Sequence, residues 1–161
     1  TGLVSSATAL SPAGFYTEEE RRRALRMLNT MRLNTFIPGP VMKIGLRLAA
    51  IKAISFGPLV VNPSRLSAQR AYEDALAMRR GKGFRHVAKS ALDYRFAGEP
   101  SVPVTVGWGS KDRILRPNQA DRAREKLPQA RHVTLPGCGH VPMSDEPQLV
   151  ASLILETTGA R

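Results

Sequence analysis

The sequence predicts an α/β protein in which a parallel sheet is interrupted by an all-helical segment. Residues 98–161 alternate short apolar strands with charged amphipathic helices, and this β-α-β-α order is typical of a parallel sheet. Residues 15–97 carry helix signals and chain breakers but no strand signal. An apolar run at residues 3–10 adds a further strand. We therefore expect residues 1–14 and 98–161 to form the sheet core and residues 15–97 to form a helical insertion.

The helical segment begins with the strongest local signal in the chain. Thr17 precedes Glu20 by three residues, which is a capping box, and acidic side chains occupy the positive end of the helix dipole. We expect a helix over residues 18–33. Four apolar residues at helical spacing form its buried face: Ala24, Leu25, Leu28 and Met31.

A second helical stretch, residues 41–57, is amphipathic. Three cations interrupt it too often for a bilayer-spanning helix: Lys43, Arg47 and Lys52. We expect this helix to pack onto a core, with a mobile lid or a membrane-surface helix as the alternative. Further helices are predicted over residues 64–80 and 83–96, separated by a Gly-Lys-Gly run.

The last part of the chain supplies most of the predicted sheet. An apolar, β-branched run closed by glycine predicts a buried strand at residues 102–109, and residues 131–135 predict another. A charged helix is predicted between them over residues 117–127. Ser144, followed by two acidic residues, predicts the N-cap of a last helix that runs to about residue 157.

The composition is that of a soluble globular chain. A chain of 161 residues removes about 68–70% of its unfolded surface from water on folding, so a real core is expected. The single cysteine, Cys138, excludes an intramolecular disulfide, and we expect a reducing, cytoplasmic setting. The three histidines and the cysteine are not spaced as a metal cluster, so we expect neither a metal nor another cofactor. A start at Thr1 without the pattern of a signal peptide predicts a cut or processed chain.

The formal net charge of +11 lies almost entirely in the helical segment. Residues 17–97 carry 16 lysines and arginines against 6 acidic residues, whereas residues 98–161 carry 8 against 7. A basic surface attracts nucleic acid, anionic lipid or an acidic partner. The few aromatic residues are not interleaved with the basic ones as a stacking platform requires, so a nucleic-acid-binding protein is kept only as the less favoured alternative. The interrupted apolar stretches likewise lead us to expect no membrane partner.

Two residues stand where chemistry is expected in a parallel sheet. Asp112 lies three residues after the predicted strand that ends at Gly109, and His140 lies in the glycine-flanked loop after the strand that ends at Leu135. Loops at the carboxyl ends of neighbouring parallel strands open on the same edge of a sheet. An aspartate hydrogen-bonded to a histidine orients the imidazole and stabilises its charged form, so the pair is a candidate general-base system.

Both loops resemble those of a known family. Residues 102–155 resemble the C-terminal third of the α/β-hydrolase fold, in a G-x-x-D loop and a G-x-G-H-x-P loop. By this resemblance Asp112 matches the catalytic acid and His140 the catalytic base of that family. Residues 3–14 resemble its sixth strand, and residues 15–97 take the place of its helical cap or lid. Five flanking residues are implied to line the substrate pocket: Trp108, Ile114, Leu115, Val141 and Met143.

The resemblance implies a hydrolase whose nucleophile lies elsewhere. The family uses a G-x-S-x-G nucleophile elbow, and no such motif occurs in the 161 residues. Ser110 lies beside the acid and lacks the second glycine, and Cys138 lies in the histidine loop, so neither fits the elbow. We expect the C-terminal half of a serine hydrolase of ester-like small molecules, which supplies Asp112 and His140 and is inactive alone.

Other activities and a partner are also implied. If the missing elbow carries aspartate, the same acid and base serve dehalogenation or epoxide opening, and carbon–carbon bond hydrolysis is a further alternative. A relative without its nucleophile would instead be a non-catalytic interaction module. Half of a doubly wound sheet leaves a strand edge unpaired and apolar helix faces uncovered. We therefore expect a partner, either the missing N-terminal half of the hydrolase or a second copy of the chain.

Overall fold

Three parallel strands form the sheet in a computed structural model that describes residues 2–159. The strands lie in the order β1-β2-β3, with these bounds: β1 Ala7–Leu10, β2 Val104–Gly109 and β3 Arg131–Leu135. The register places Leu10 opposite Gly107 and Gly109 opposite Leu135, so the three strands end close to one edge. The predicted α/β class with a parallel sheet is confirmed.

The chain divides into two compact units. The first, which we call the sheet unit, contains the residues up to Tyr16, the segment Pro58–Val61 and the residues from Arg95 onward. The second, the helical unit, contains Thr17–Gly57 and Asn62–Tyr94. The division differs from the predicted insertion at residues 15–97 chiefly because Pro58–Val61 is bonded into the sheet unit, as described below.

The helical unit contains five α-helices within the described residues. Their bounds are α1 Glu18–Asn34, α2 Gly39–Gly45, α3 Ala49–Phe56, α4 Ala68–Arg80 and α5 Phe84–Ser90, with a 3-10 turn at Pro63–Arg65. The capping box is present at the start of α1, where the Thr17 hydroxyl accepts from the Glu20 amide and the Glu20 carboxylate accepts from the Thr17 amide. Both α1 and α2 pack against α4.

The prediction of one helix over residues 41–57 is wrong, since α2 and α3 are separate helices. Lys52 on α3 is buried, and its ammonium group donates to the carbonyl oxygens of Leu66 at 2.7 Å and Ser64 at 3.3 Å. This inward lysine satisfies its charge on backbone oxygens, whereas Ile44 and Ile54 remain exposed. None of the helices among residues 2–159 combines the length and the hydropathy that crossing a membrane needs.

The sheet unit packs three further helices around the sheet: α6 Asn118–Lys126, α7 Pro142–Asp145 and α8 Pro147–Thr158. Helix α8 packs against β1 and β2, and Leu153 on it joins a buried cluster with Leu135 and Cys138. The predicted first strand is shorter than expected because Leu3 and Val4 are exposed and only Ala7–Leu10 pairs with β2.

Ser144 is not the N-cap of the last helix, so that prediction is wrong. Residues Pro142–Asp145 form a short helix of their own, and Glu146 is the N-cap of α8 with Pro147 in its first turn. The carboxylate of Asp145 does not cap a helix. It accepts hydrogen bonds from two backbone amides in other segments, and this difference bears directly on the site.

Candidate active site

The loops after β2 and β3 are joined to each other by backbone hydrogen bonds. The Ser110 amide donates to the Leu135 carbonyl at 3.0 Å, and the Lys111 amide donates to the Cys138 carbonyl at 2.9 Å. The Gly137 amide donates to the Ser110 hydroxyl at 2.9 Å. The Ser110 oxygen is therefore used to hold the two loops together.

Close approach of backbone explains two of the glycines in these loops. A Cβ on Gly109 would lie 2.2 Å from the Gly139 carbonyl oxygen and 2.7 Å from that of Cys138. A Cβ on Gly139 would lie 2.7 Å from the Leu59 carbonyl oxygen. Neither position leaves room for a larger residue, because backbone atoms rather than flexible side chains fill the space.

The loop after β2 wraps around the carboxylate of Asp112. Its Oδ1 accepts from the backbone amides of Ile114 at 2.8 Å and Leu115 at 2.9 Å. The residue is only 3% exposed. Two N–H donors at one oxygen fix the side chain as in an Asx-type turn and leave the second oxygen for another partner.

That partner is the ring of His140. Oδ2 of Asp112 lies 2.9 Å from Nδ1 of His140, with the histidine side chain 24% exposed and the aspartate side chain fully buried. Because the carboxylate accepts, the ring carries its proton on Nδ1 and presents the lone pair of Nε2. Within residues 2–159, no protein group hydrogen-bonds to Nε2. The arrangement can remove a proton from a group placed at Nε2 while Asp112 stabilises the resulting imidazolium.

Asp145 is a further residue of the histidine loop that the sequence did not reveal. It is 4% exposed, and its two carboxylate oxygens accept from the amides of Gly139 and Val61, each at 2.8 Å. In the sequence, an acidic residue just before Pro147 is most simply interpreted as part of the first turn of the last helix. The one sequence signal for the role of Asp145 was the loop around His140, which is rich in glycine and proline. The buried backbone amides of such a loop need hydrogen-bond acceptors.

The five residues expected to line a pocket are placed differently from one another. Trp108, Ile114 and Leu115 are buried, with the Trp108 indole nitrogen donating to the Leu115 carbonyl at 2.9 Å. Val141 is half-buried and Met143 is 48% exposed. Burial of the first three stiffens the loop that holds Asp112. Their contact with a substrate stays a prediction.

Cys138 is a buried thiol inside the same loop. It is 0% exposed, and its sulfur lies 3.7 Å from the Pro136 carbonyl oxygen. Burial raises the pKa of the Cys138 thiol, and the nearby carboxylates of Asp145 and Glu146 raise it further. A thiol that resists ionisation is a poor nucleophile, so this side chain packs the loop.

No group of three or more histidine, cysteine, aspartate or glutamate side chains suited to a metal ion occurs in the part of the chain that the structure describes. Asp112 is engaged with two backbone amides and with Nδ1 of His140, whereas Nε2 of His140 has no hydrogen-bond partner among residues 2–159. Their arrangement is that of an acid–base pair.

Comparison with known proteins finds one family model that matches most of the chain and a curated lipase that matches a short segment. A family model described as the alpha/beta hydrolase family matches residues 2–153. "Lipase 3" of Moraxella sp. (strain TA144) is 37% identical over 43 residues, which is 27% of this chain and 14% of that lipase.

Solved structures share the fold. A thermophilic esterase from Thermogutta terrifontis superposes with a TM-score of 0.60 at 18% identity, covering 94% of this chain and 54% of the esterase. A membrane phospholipase A, described as a bacterial virulence factor, superposes with a TM-score of 0.59 at 19% identity, covering 96% of this chain and 48% of that protein. The chain thus spans about half the length of these structures, and at such identity the likeness concerns the fold alone.

Proposed function

The chain belongs to the alpha/beta hydrolase family, and from that premise we propose that it supplies the acid and the base of a Ser-His-Asp triad that hydrolyses carboxylic esters. The observation that carries the proposal is the 2.9 Å contact between Asp112 Oδ2 and His140 Nδ1. Both side chains follow neighbouring parallel strands at their carboxyl ends, where α/β sheets hold their active groups.

In the proposed reaction His140 moves the proton and Asp112 holds the ring of His140. Nε2 of His140 takes the proton of a serine hydroxyl as that oxygen attacks the ester carbonyl carbon, and it then gives the proton to the departing alkoxide. Water next attacks the acyl-serine ester, loses a proton to Nε2, and the serine oxygen leaves and recovers that proton. Asp112 keeps the ring in its Nδ1–H form and stabilises the imidazolium in both steps.

We place the serine and the oxyanion donors outside these 161 residues. The sequence contains no G-x-S-x-G motif, and its two candidates in the site region have other roles. Ser110 is an acceptor for the Gly137 amide, and Cys138 is buried with a raised thiol pKa. The 161 residues are therefore inactive by themselves and complete their site with a nucleophile from the rest of the hydrolase.

Ester-like small molecules are the proposed substrate class. The segment that "Lipase 3" shares with this chain, at 37% identity over 43 residues, supports an ester rather than a halide or an epoxide. Serine is accordingly the proposed nucleophile. We propose that the helical unit serves as a cap and contributes to substrate selection.

The intact mass of the purified protein under denaturing conditions tests the proposal, before and after reaction with a fluorophosphonate. We expect a labelled serine on a species heavier than 17.6 kDa, or on a separate chain that co-purifies, together with esterase activity. A 17.6 kDa species that itself gains the adduct would overturn the external nucleophile. A 17.6 kDa species without adduct or activity, and without a labelled companion, would identify a non-catalytic module instead.

A further inference from the structure

A second buried carboxylate, that of Asp145, is bonded to the residue just before His140. Asp145 accepts from the Gly139 amide through Oδ2 and from the Val61 amide through Oδ1, both at 2.8 Å. At 4% exposure, this carboxylate forms charge-assisted hydrogen bonds inside the protein, where they are stronger than at a surface. One side chain therefore joins the histidine loop to the segment Pro58–Val61.

The same segment contacts the other side of the histidine. The amide of Val141 donates to the Leu59 carbonyl oxygen at 3.0 Å. The Cα of Gly139 lies so close to that oxygen that an added Cβ would be 2.7 Å from it. The residues before and after His140 are thus both held, one through Asp145 and the other through Leu59.

We propose that Asp145 is a positioning residue that fixes the backbone on which His140 stands, so that Nδ1 stays within hydrogen-bonding distance of Asp112. The effect on catalysis rests on the proposed function, whereas the effect on the ring does not. The action proposed for Asp145 passes through its hydrogen bond to the Gly139 amide. A small misplacement of a catalytic group lowers the rate by as much as about 10²-fold, which is the scale expected here.

Asp145→Asn is the sharpest variant because it keeps the size of the side chain. An amide has one acceptor oxygen and one donor NH₂ group, so it can satisfy only one of the Gly139 and Val61 amides and opposes the other. Asp145→Glu keeps both acceptor oxygens and the charge. Asp121→Asn is the matched control, because the Asp121 side chain is 75% exposed on the same unit.

The first readout is the NMR signal of the His140 Nδ1 proton in the purified protein. We expect this proton to exchange with solvent at least tenfold faster in Asp145→Asn, with the rest of the spectrum retained. Asp145→Glu should restore slow exchange, and the control should match the unsubstituted protein. A folded Asp145→Asn protein with unchanged Nδ1 proton exchange would overturn the proposal.

The second readout is ester turnover. We expect Asp145→Asn to lower kcat by about 10- to 100-fold with KM within about twofold, because the bound ester is still recognised while the base is misaligned. A change in KM alone would contradict a positioning role. If no form of the protein hydrolyses esters, the proposed function fails, and the Nδ1 exchange measurement still decides the role of Asp145.

A further measurement covers the case in which Asp145→Asn does not fold. In the unsubstituted protein, the amides of Gly139, Val61 and Val141 should show one common protection factor, the intrinsic exchange rate divided by the measured one, because a single opening event releases them all. Protection factors that differ among the three by more than tenfold would show that they open independently and would overturn the proposal.

Discussion

Gly109 at the end of β2 and Gly139 beside His140 lie in direct backbone contact. A Cβ on Gly109 would be 2.2 Å from the Gly139 carbonyl oxygen, well inside the distance at which atoms repel each other. The loops after β2 and β3 are therefore so close at this point that neither glycine can carry a side chain larger than its hydrogen atom. We expect the 2.9 Å distance between Asp112 Oδ2 and His140 Nδ1 to depend on this close packing.

Gly109→Ala is expected to destabilise the protein and to separate the two loops. Inserting a methyl group against fixed backbone costs about 1–3 kcal/mol or more, since no side chain can move away. Thermal unfolding measures the loss. Gly45→Ala is the control, because its Cβ meets only the Ile51 side chain at 3.8 Å and helix propensity favours alanine. Equal melting temperatures for the two variants would contradict the steric argument.

Asp112→Asn is expected to remove turnover while leaving the fold intact. The asparagine oxygen can still accept from the Ile114 and Leu115 amides, but its NH₂ group then faces His140 Nδ1 and cannot accept a proton from it. The ring is left in the wrong tautomer, which lowers kcat by about 10⁴-fold in triads of this kind. Steady-state kinetics of the assembled hydrolase and circular dichroism of the same sample check both parts. A loss below tenfold would remove Asp112 from the mechanism.

His140→Ala is expected to abolish ester hydrolysis and the reaction of the serine with fluorophosphonate. Without Nε2 the proposed general base is lost, so we expect the serine hydroxyl not to be activated. His86→Ala is the matched control, since His86 is exposed on α5. Labelling at the normal rate in His140→Ala would show that another base serves the nucleophile.

Cys138 is expected to react slowly with iodoacetamide in the native protein and rapidly after unfolding. Its thiol is buried and its pKa is raised, so the thiolate fraction at neutral pH is small. A thiol pKa that is higher in the folded than in the unfolded state stabilises the fold at low pH, and this contribution is lost as pH rises through the folded value. Denaturant unfolding at several alkaline pH values should show that decline. Its persistence in Cys138→Ala would assign it to another group.

The parts of the site that sequence could predict are those governed by strand order. Parallel strands joined by a short helical crossover bring Asp112 and His140 to one edge, and the structure places their side chains in hydrogen-bonding distance. The bounds of β3 and the capping of α1 by Thr17 likewise follow from local patterns and are confirmed.

The remainder depended on contacts between distant parts of the chain. Asp145 binds the Val61 amide 84 positions away, and no local pattern distinguishes that contact from a first-turn acid. The break between α2 and α3 was hidden in the same way. The ammonium group of Lys52 is bonded to backbone carbonyls of Ser64 and Leu66, so Lys52 is buried. The apolar residues Ile44 and Ile54 are exposed to solvent instead.

The pairing of Ala7 with Val104 joins residues that are made at different times, because the chain is synthesised from its N-terminus. The ribosome adds about 5–20 residues per second, so β1 leaves it about 5 to 20 s before its partner strand exists. The residues of the helical unit are synthesised during that interval, and β1 has no partner among the three strands until it ends. Contacts between residues so far apart in sequence form late and slowly in folding. Nascent chains are therefore expected to need protection of an unpaired apolar strand until β2 emerges.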